Sequence, residues 1–455
     1  MPVPGDTIAA IATPLGQGGI AMIRLSGPQS LAVADAIFRA ASPSPKPSAA
    51  PTHTIHFGRI VRRGRVVDEA LLSVMRAPRT VTREDVVEIT CHGGLLLAKL
   101  VLDTVLENGA RLAAPGEFTR RAFLNGRIDL AQAEAVADLI HARTELAATA
   151  AQEQLAGHLS RRIHVLRDDL MKILAHIEAH IDFPDEDIAP DTRAKLMERL
   201  HAALTFMDEL LRTANEGRLL RRGIRAAIIG RPNVGKSSLL NRLLGQERAI
   251  VSPLPGTTRD TIEETANVRG VPVVFIDTAG LREAADDIEA EGVRRSRATL
   301  AAAELILHVL DGSEPAGEMD KQLLTEFAGR KRLLVSNKAD LPRRLDLPDG
   351  LAATEVCCLT GVGVEDLKDA IKGTVWAGGM PAEMLQVMIN SRHEDALRRG
   401  REAAERAVAA LRDHLGLELV ALDLRLAAQA VGEIVGKTTT EDLLDSIFSQ
   451  FCLGK

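Results

Sequence analysis

The spacing of apolar and polar residues divides the chain into blocks of different character. In residues 1–120, short apolar runs such as I-A-M-I-R-L (20–25) and A-L-L-S-V-M (70–75) predict strands, and the run at 94–106 predicts a helix. The proline- and serine-rich stretch 41–51 is typical of a loop. We therefore expect the first block to form a mixed α/β domain.

Helical spacing dominates the two blocks on either side of the middle of the chain. Ala, Leu, Glu, His and Arg recur at helical intervals over 121–216, and the same texture returns over 381–455. Between them, 217–380 alternates strand-like and helix-like runs, which indicates a parallel sheet with crossover helices. This order predicts one helical domain into which an α/β domain is inserted.

Composition and charge are ordinary for a globular protein. A length of 455 residues is typical of roughly three domains. The low aromatic content (ten Phe, one Trp, no Tyr) argues against base stacking as the main means of recognition. Because the net charge is −6, any contact with RNA must come from a local basic patch or from a partner.

The cysteines and the absence of apolar spans indicate the compartment. Cys91, Cys357, Cys358 and Cys452 show no paired C-x-x-C spacing, which favours a reducing compartment without a zinc site. The first residues lack the charged start and apolar core of a secretory signal. No apolar run approaches the ~18 residues that a membrane span needs. We expect a cytoplasmic protein.

The central block carries a phosphate-binding motif. The strand-like run R-A-A-I-I (225–229) leads into G-R-P-N-V-G-K-S (230–237) and then into a helical run, the setting that G-x-x-x-x-G-K-S requires. The glycines let backbone N–H groups surround phosphate oxygens, and the helix adds its positive N-terminus. Lys236 is expected to contact the β- and γ-phosphates, and the Ser237 hydroxyl to bind Mg²⁺.

Two further motifs concern the γ-phosphate and the metal. P-G-T-T-R-D (255–260) offers Thr258 as a second hydroxyl for Mg²⁺, in a loop that can order with the γ-phosphate. V-V-F-I-D-T-A-G (273–280) is a buried strand that ends near Asp277, which can hold the metal's water shell, and near Gly280, whose N–H can sense the γ-phosphate.

The last motif selects the base. R-L-L-V-S-N-K-A-D (332–340) is a strand running into N-K-x-D, and the Asp340 carboxylate can accept two hydrogen bonds from the guanine edge. Leu281 follows D-T-A-G where Ras-type enzymes place a glutamine, so another polar group must orient the attacking water. Asn233 is a neutral oxygen donor near the phosphates, suited to a monovalent cation. Together these motifs predict a GTP-hydrolysing domain.

Nucleotide binding leaves four segments unexplained. They are A-T-P-L-G-Q-G-G-I-A-M-I-R-L-S-G (12–27), E-D-V-V-E-I-T-C-H-G-G (84–94), P-G-E-F-T-R-R-A-F-L-N-G-R-I-D-L-A-Q-A-E-A (115–135) and F-C-L-G-K (451–455). With these segments the chain resembles the MnmE (TrmE) family of tRNA modification GTPases over essentially its whole length. The resemblance implies an N-terminal domain that dimerises and binds a tetrahydrofolate one-carbon derivative, 5-formyl- or 5,10-methylene-tetrahydrofolate.

The expected fold class is therefore α/β and all-α multidomain. It comprises an α+β folate-binding domain at 1–120, helical parts at 121–216 and 381–455, and an inserted Ras-like P-loop GTPase domain at 217–380. The resemblance further implies a homodimer and an FAD-dependent partner, MnmG (GidA), in a heterotetramer. With that partner and GTP, Mg²⁺ and K⁺, the family adds an aminomethyl or carboxymethylaminomethyl group to carbon 5 of the wobble uridine of certain tRNAs.

The resemblance also implies site residues. The folate-contact positions are Arg24, Glu88, Arg127 and Lys455; lysine also occurs at the position of Arg127. The loop that wraps potassium corresponds to Asn233, Ser252, Leu254 and Thr257. Glu289 matches the acid that positions the attacking water in the family. In the fifth guanine-contacting loop, C-L-T (358–360) replaces the family's usual Ser-Ala pair. The expected nucleotide contacts are Asn233, Val234, Gly235, Lys236, Ser237, Ser238, Ser252, Pro253, Leu254, Pro255, Gly256, Thr257, Thr258, Asp277, Thr278, Ala279, Gly280, Asn337, Lys338, Ala339, Asp340, Cys358, Leu359 and Thr360.

Cys452 has two interpretations. It lies on the family's C-terminal C-x-G-K motif, which aims the tail at the folate pocket and makes the thiol a candidate catalytic nucleophile beside Lys455. The alternative is a buried small hydrophobe at the end of I-F-S-Q-F.

Three weaker sequence signals can also be explained without a functional role. His176 and His180 have metal-ligand spacing, but a solvated or packed helix face is favoured. R-L-L-R-R-G-I-R (218–225) can touch RNA, although a basic edge of the GTPase domain is the safer reading. His92 either lines the folate site or caps a helix. The alternative function is a GTP-driven RNA-binding or ribosome-assembly switch without further chemistry, which a KH signature would favour; we find none.

Overall fold

The computed structural model describes residues 5–182, 190–245, 263–276, 300–376 and 382–455. The strands are β1 (Ile8–Ile11), β2 (Ile20–Ser26), β3 (Phe38–Ala40), β4 (Thr54–Arg62), β5 (Arg65–Met75), β6 (Val86–His92), β7 (Arg111–Leu112), β8 (Ile224–Ile229), β9 (Glu264–Val268), β10 (Val271–Phe275), β11 (Leu305–Asp311), β12 (Arg332–Asn337) and β13 (Ala353–Glu355).

The helices follow in the same chain order. They are α1 (Ser30–Ile37), α2 (Leu95–Glu107), α3 (Glu117–Leu124), α4 (Leu130–His141), α5 (Glu145–Leu155), α6 (His158–Asp182), α7 (Pro190–Arg212), α8 (Ala214–Arg222), α9 (Lys236–Leu244), α10 (Glu318–Glu326), α11 (Val364–Val375), α12 (Ala382–Leu385), α13 (Ser391–Arg412), α14 (Leu417–Ile434) and α15 (Glu441–Phe448). None of the described helices is long and apolar enough to cross a membrane.

The chain divides into two compact units. One unit comprises Met1–Ala137 and Ala428–Lys455, and the other comprises Asp138–Ala427. The first unit therefore contains the beginning and the end of the sequence together.

The first unit is built on a sheet with the strand order β3-β4-β5-β6-β2-β1-β7. Its strand pairs are antiparallel except for the parallel pair of β1 and β7. Alternate residues such as Ile23, Leu25, Leu72 and Ile89 are buried in one core with α1 and α2, as the period of two requires. The predicted strands at 20–25 and 70–75 and the predicted helix at 94–106 are confirmed.

The second unit contains a sheet with the order β13-β12-β11-β8-β10-β9. It is parallel except for the antiparallel pair of β9 and β10. Residues such as Val273, Leu307 and Val335 are fully buried, because helices cover both faces of such a sheet. The expected parallel sheet with crossover helices is confirmed.

The long helices of the second unit pack by helical periodicity. On α6 the buried positions include Leu159, Ile163, Leu166 and Leu170, spaced by three and four residues. α7 packs against both α6 and α13. In the sequence, α7 precedes the parallel sheet and α13 follows it, so the strands of this sheet lie between two helices that pack together.

Candidate functional site

The phosphate loop joins β8 to α9 and depends on left-handed backbone. Asn233 and Gly235 have φ values of +62° and +98°, a region that costs a non-glycine residue steric energy. A Cβ at position 235 would lie 2.2 Å from the Asn337 amide nitrogen, so this position requires glycine. The loop therefore curls at the carboxyl end of β8, where parallel α/β sheets bind their ligands.

Lys236 lies across this loop. Its Nζ donates to the carbonyl oxygens of Gly230 and Arg231, at 2.9 Å each. Burial lowers the pKa of Lys236 from its ordinary value, because removing the ammonium from water disfavours its charged form. Two neutral carbonyls leave the positive charge uncompensated, so the site fits the phosphates of a nucleotide.

Asn337 connects the phosphate loop to the segment around Cys358. Its Nδ2 donates to the Val234 carbonyl at 2.8 Å, and its Oδ1 accepts from the Cys358 N–H at 3.1 Å. The side chain is buried, so both hydrogen bonds are shielded from water. One amide thus links the phosphate loop to the backbone of Cys358, in the segment predicted to contact the base.

The two residues after Asn337 have different roles. The Lys338 ammonium lies 2.5 Å from Asp311 Oδ2. Burial, the largest single effect, raises the pKa of Asp311, but the hydrogen bonds from Lys338 and Ser313 together with the Lys338 charge hold that pKa below its ordinary value. Asp340 is exposed, and its Oδ1 accepts from Cys357 Sγ at 3.1 Å. Its carboxylate is therefore oriented yet accessible to a base.

Arg242 is a residue that sequence reasoning missed. From α9, its Nε donates to the Cys358 carbonyl at 3.1 Å and its Nη2 to the Leu359 carbonyl at 2.6 Å. These bonds fix the backbone of residues 358 and 359, in the segment predicted from the sequence to contact guanine. The one signal for Arg242 is an arginine within the apolar helical run L-L-N-R-L-L.

Within the first unit, backbone hydrogen bonds hold the C-terminal segment against the N-terminal part of the chain. The Phe118 N–H donates to the Lys455 carbonyl at 3.2 Å, and Arg24 Nη1 donates to the Gly454 carbonyl at 3.4 Å. Phe451 is buried and its ring lies 5.5 Å from that of Phe448. The segment is held at Phe451 and at Gly454–Lys455, and Cys452 between them is half-buried.

Arg24 and Glu88 meet beside this segment. They face each other across β2 and β6, and Arg24 Nη2 lies 2.8 Å from Glu88 Oε1. The Arg24 guanidinium also lies 5.8 Å from the centre of the Phe118 ring. The structure thus brings together Arg24, Glu88 and the segment that carries Cys452 and Lys455.

Comparison with known proteins covers nearly the whole chain. The family model for the GTP-binding protein TrmE N-terminus matches residues 7–127, and that for the MnmE helical domain matches residues 130–452. A tRNA modification GTPase MnmE from Geobacillus kaustophilus is 49% identical over 460 residues, covering 99% of each chain. One from Bacillus subtilis is 46% identical over 460 residues, covering 99% of this chain and 100% of that one.

This chain belongs to the MnmE family of tRNA modification GTPases. The predicted resemblance is confirmed, and with it a GTP hydrolase that binds GTP and Mg²⁺. Among solved structures, the G domain of the T. maritima FeoB iron transporter is similar, with 27% identity and a TM-score of 0.26 over 33% of this chain and 98% of that one.

The remaining predicted site residues differ in their exposure to solvent, and many lie outside the described residues. Val234 is buried, whereas Ser238, Ala339 and Thr360 are exposed and Ser237 is half-buried in the first turn of α9. The predicted residues Ser252, Pro253, Leu254, Pro255, Gly256, Thr257, Thr258, Asp277, Thr278, Ala279, Gly280 and Glu289 lie outside the described residues, as does Leu281.

Arg127 and His92 contact residues other than Arg24 and Glu88. Arg127 Nη1 donates to the Val81 carbonyl at 3.1 Å, in the loop between β5 and β6, whereas Arg24 and Glu88 lie on strands β2 and β6. His92 Nδ1 lies 2.8 Å from Asp68 Oδ1, and this hydrogen bond raises the pKa of His92. The imidazole therefore pairs with a carboxylate on β5.

The paired histidines of α6 also have a simple geometry. His176 Nε2 and His180 Nε2 are 3.1 Å apart, and their rings pack edge to face. Over the described ranges, no group of three or more His, Cys, Asp or Glu side chains could hold a metal ion.

Proposed function

We propose that this MnmE-family chain modifies carbon 5 of the wobble uridine of certain tRNAs with an aminomethyl or carboxymethylaminomethyl group. It does so as a homodimer with the FAD-dependent MnmG (GidA) partner, using GTP and a tetrahydrofolate one-carbon donor. The observation that supports the one-carbon step is the packing of F-C-L-G-K beside the Arg24–Glu88 pair. A GTP-driven switch without that chemistry has no need for this arrangement.

The donor set beside the tail fits a folate. Arg24 and Glu88 offer hydrogen-bond donors and acceptors of opposite charge on adjacent strands, and their side chains are only 16% and 19% exposed. A pterin presents both donors and acceptors along one edge, so it can hydrogen-bond to both groups. Lys455 and Arg127 supply positive charge for carboxylates of the glutamate tail. The folate, when bound, would carry the one-carbon unit.

Cys452 is the nucleophile that we assign to this site. Its thiol is half-buried on a segment fixed at Phe451 and Lys455, so its position relative to Arg24 is set by the backbone. A positioned thiol is a far better nucleophile than a hydroxyl near neutral pH. Glu289 is the second catalytic residue in the proposal and orients the water that attacks GTP.

For GTP hydrolysis we propose a potassium-stimulated reaction. The Asn233 side chain is exposed on the left-handed turn of the phosphate loop, beside the phosphate site. With Ser252, Leu254 and Thr257 it would hold K⁺, while Ser237 and Thr258 would hold Mg²⁺. K⁺ would add positive charge where other GTPases use an arginine finger.

An apolar face of the first unit supports the homodimer. Phe57 and Leu71 face each other across β4 and β5 and are 54% and 45% exposed, and Ile55 is 68% exposed. Contiguous exposed apolar side chains on a sheet are typical of an interface. A second copy of the same sheet would cover them in a symmetric pair.

The decisive experiment is mass analysis of wobble uridine in bulk tRNA. A strain that lacks the gene should regain the modified nucleoside with the natural chain and with Leu453→Ala, which alters an exposed neighbour of the thiol. Cys452→Ser should not restore it, although GTP hydrolysis continues. If the natural chain restores nothing, the proposal is wrong; if Cys452→Ser restores it, the thiol only packs.

A further inference from the structure

A cleft in the second unit is lined by more basic than acidic side chains. Its volume is about 830 Å³, and it lies between α8 and the edge of the parallel sheet. The basic residues that line it are Arg143, Arg218, Arg222, Arg225 and Lys331; the acidic ones are Glu263 and Glu304. The cleft therefore has an excess of positive charge, in a chain whose net charge is −6.

The cleft lies at the opposite end of the sheet from the nucleotide site. Arg225 is near the beginning of β8, and Glu304 and Lys331 immediately precede β11 and β12. The phosphate loop, in contrast, follows the end of β8. A ligand in the cleft therefore leaves the GTP site open, and neither ligand excludes the other.

Three of the five cations in the cleft have partners in the protein. Arg225 pairs with Glu263 at 3.0 Å, and Arg218 lies 3.7 Å from Glu394. Glu304 accepts the backbone N–H of Arg225, and Arg143 donates to the hydroxyl of Thr265 at 2.7 Å.

Two of the five cations make neither an ion pair nor a side-chain hydrogen bond in the described parts of the chain, and these two are available to an external ligand. Arg222 and Lys331 are exposed and form no ion pair with any side chain that the structure describes. Arg222 is the last residue of α8 and Lys331 directly precedes β12, so both are attached to ordered elements. They are therefore held in place rather than carried on a long loop.

We propose that this cleft binds the phosphate backbone of the tRNA substrate, an inference that rests on the proposed function. Four of the five cations are arginines, whose planar fork matches phosphate oxygens. The low aromatic content leaves the backbone, rather than stacked bases, as the feature to recognise. A local basic cleft is also what an acidic chain needs in order to hold RNA.

Other occupants fit less well. Pockets for small organic ligands are lined predominantly by apolar and aromatic side chains, whereas half of the residues that line this cleft are charged and none is aromatic. An acidic polypeptide offers carboxylates at irregular spacing, whereas an RNA strand offers a continuous row of phosphates. Comparing the binding of tRNA with that of poly-glutamate distinguishes these two polyanions.

The test uses the full-length protein and bulk tRNA over a series of salt concentrations. The double variant Arg222→Gln/Lys331→Gln should bind tRNA more weakly and should lower the slope of log K against log salt by about 2, roughly one for each lost phosphate contact. Arg222→Lys keeps the charge and should preserve most of the slope. The matched control Arg412→Gln/Lys321→Gln removes one exposed arginine and one exposed lysine outside the cleft and should leave the slope unchanged.

These measurements distinguish a misfolded variant, a wrong assignment of the cleft and a wrong proposed function. GTP hydrolysis in the double variant should equal that of the natural chain, which shows that it folds. An unchanged tRNA slope in the double variant overturns the inference, as does weaker binding of poly-glutamate with tRNA binding intact. If the natural chain restores wobble modification while the double variant binds tRNA normally, the cleft assignment fails and the proposed function stands. If the natural chain restores nothing, the proposed function itself fails.

Discussion

At the scale of single residues, Asp340 combines two properties that a base selector needs. Its carboxylate is exposed to an incoming base, and one oxygen is held by Cys357 Sγ at 3.1 Å. Asn337 fixes the adjoining backbone through the Val234 carbonyl and the Cys358 N–H. The carboxylate thus keeps its direction without losing access.

Asp340→Asn should weaken GTP binding and improve binding of xanthosine triphosphate. The amide cannot accept both guanine donors, but it can donate to the 2-oxo group of xanthine. Hydrogen bonds to a charged group contribute about 1.5–3 kcal/mol, so GTP affinity should fall on the order of 10- to 100-fold. Competition binding measures this, with the exposed loop variant Asp346→Asn as control. An unchanged base preference would remove Asp340 from the guanine site.

The cysteines should differ in reactivity. Burial, the larger cause, and the nearby Asp68 raise the pKa of Cys91 to about 11. Burial and Cys357 raise the pKa of Cys358 to about 11. Near pH 7.5 this lowers the thiolate fraction by about two orders of magnitude relative to an ordinary thiol. We expect iodoacetamide to modify the half-buried Cys452 before Cys91 and Cys358, as peptide mass analysis would show; early labelling of Cys91 would contradict this.

At the scale of elements, the C-terminal segment depends on one close backbone approach. Gly454 has φ of +86°, and a Cβ there would lie 2.5 Å from the Ile11 carbonyl oxygen and 2.8 Å from Ala12 Cα. No other residue type can bring the backbone so close to the end of β1. The position of Cys452 therefore depends on a glycine two residues away.

Gly454→Ala should displace the segment and expose Cys452. The clash is with backbone, which cannot move aside as a flexible side chain can, and left-handed strain adds roughly 1–3 kcal/mol. Cys452 should be alkylated several-fold faster than in the natural chain, with the rate followed by mass spectrometry. Gly64→Ala is the matched control, since Gly64 has φ of +78° and open space around its Cβ. Equal alkylation rates in both variants would show that the close approach does not hold the segment.

At the scale of the whole molecule, the two units carry different chemistry. The second unit holds the phosphate loop, Asn337 and Asp340, and the first holds Arg24 and the C-terminal segment. Hydrolysis can therefore be measured separately from tRNA modification.

GTP hydrolysis should be faster in potassium than in sodium at equal ionic strength. Arginine fingers raise hydrolysis by about 10³–10⁵, so even a partial substitute by K⁺ should be easy to detect. Asn233→Ala should lose the response to potassium while still binding GTP, because it removes the proposed potassium ligand and leaves the Lys236 contacts in place. Phosphate release in the two salts measures the effect. Equal rates for the natural chain in both salts would contradict the potassium proposal.

The sequence by itself determined the elements and the nucleotide chemistry. Apolar residues at intervals of two and of three to four predicted β2, β5, α2 and the parallel sheet, because burial of a face depends on local periodicity. G-x-x-x-x-G-K-S and N-K-x-D predicted the phosphate and base sites, because each contact is made by a short contiguous segment.

Only the tertiary structure decided what distant segments do together. Arg24 lies beside the carbonyl of Gly454, 430 positions away, and Arg242 holds the backbone of residues 358 and 359. The excess charge of the cleft likewise depends on which of its arginines meets a carboxylate. Pairings of this kind are set by how the sheets and helices pack, and no local pattern of residues encodes them.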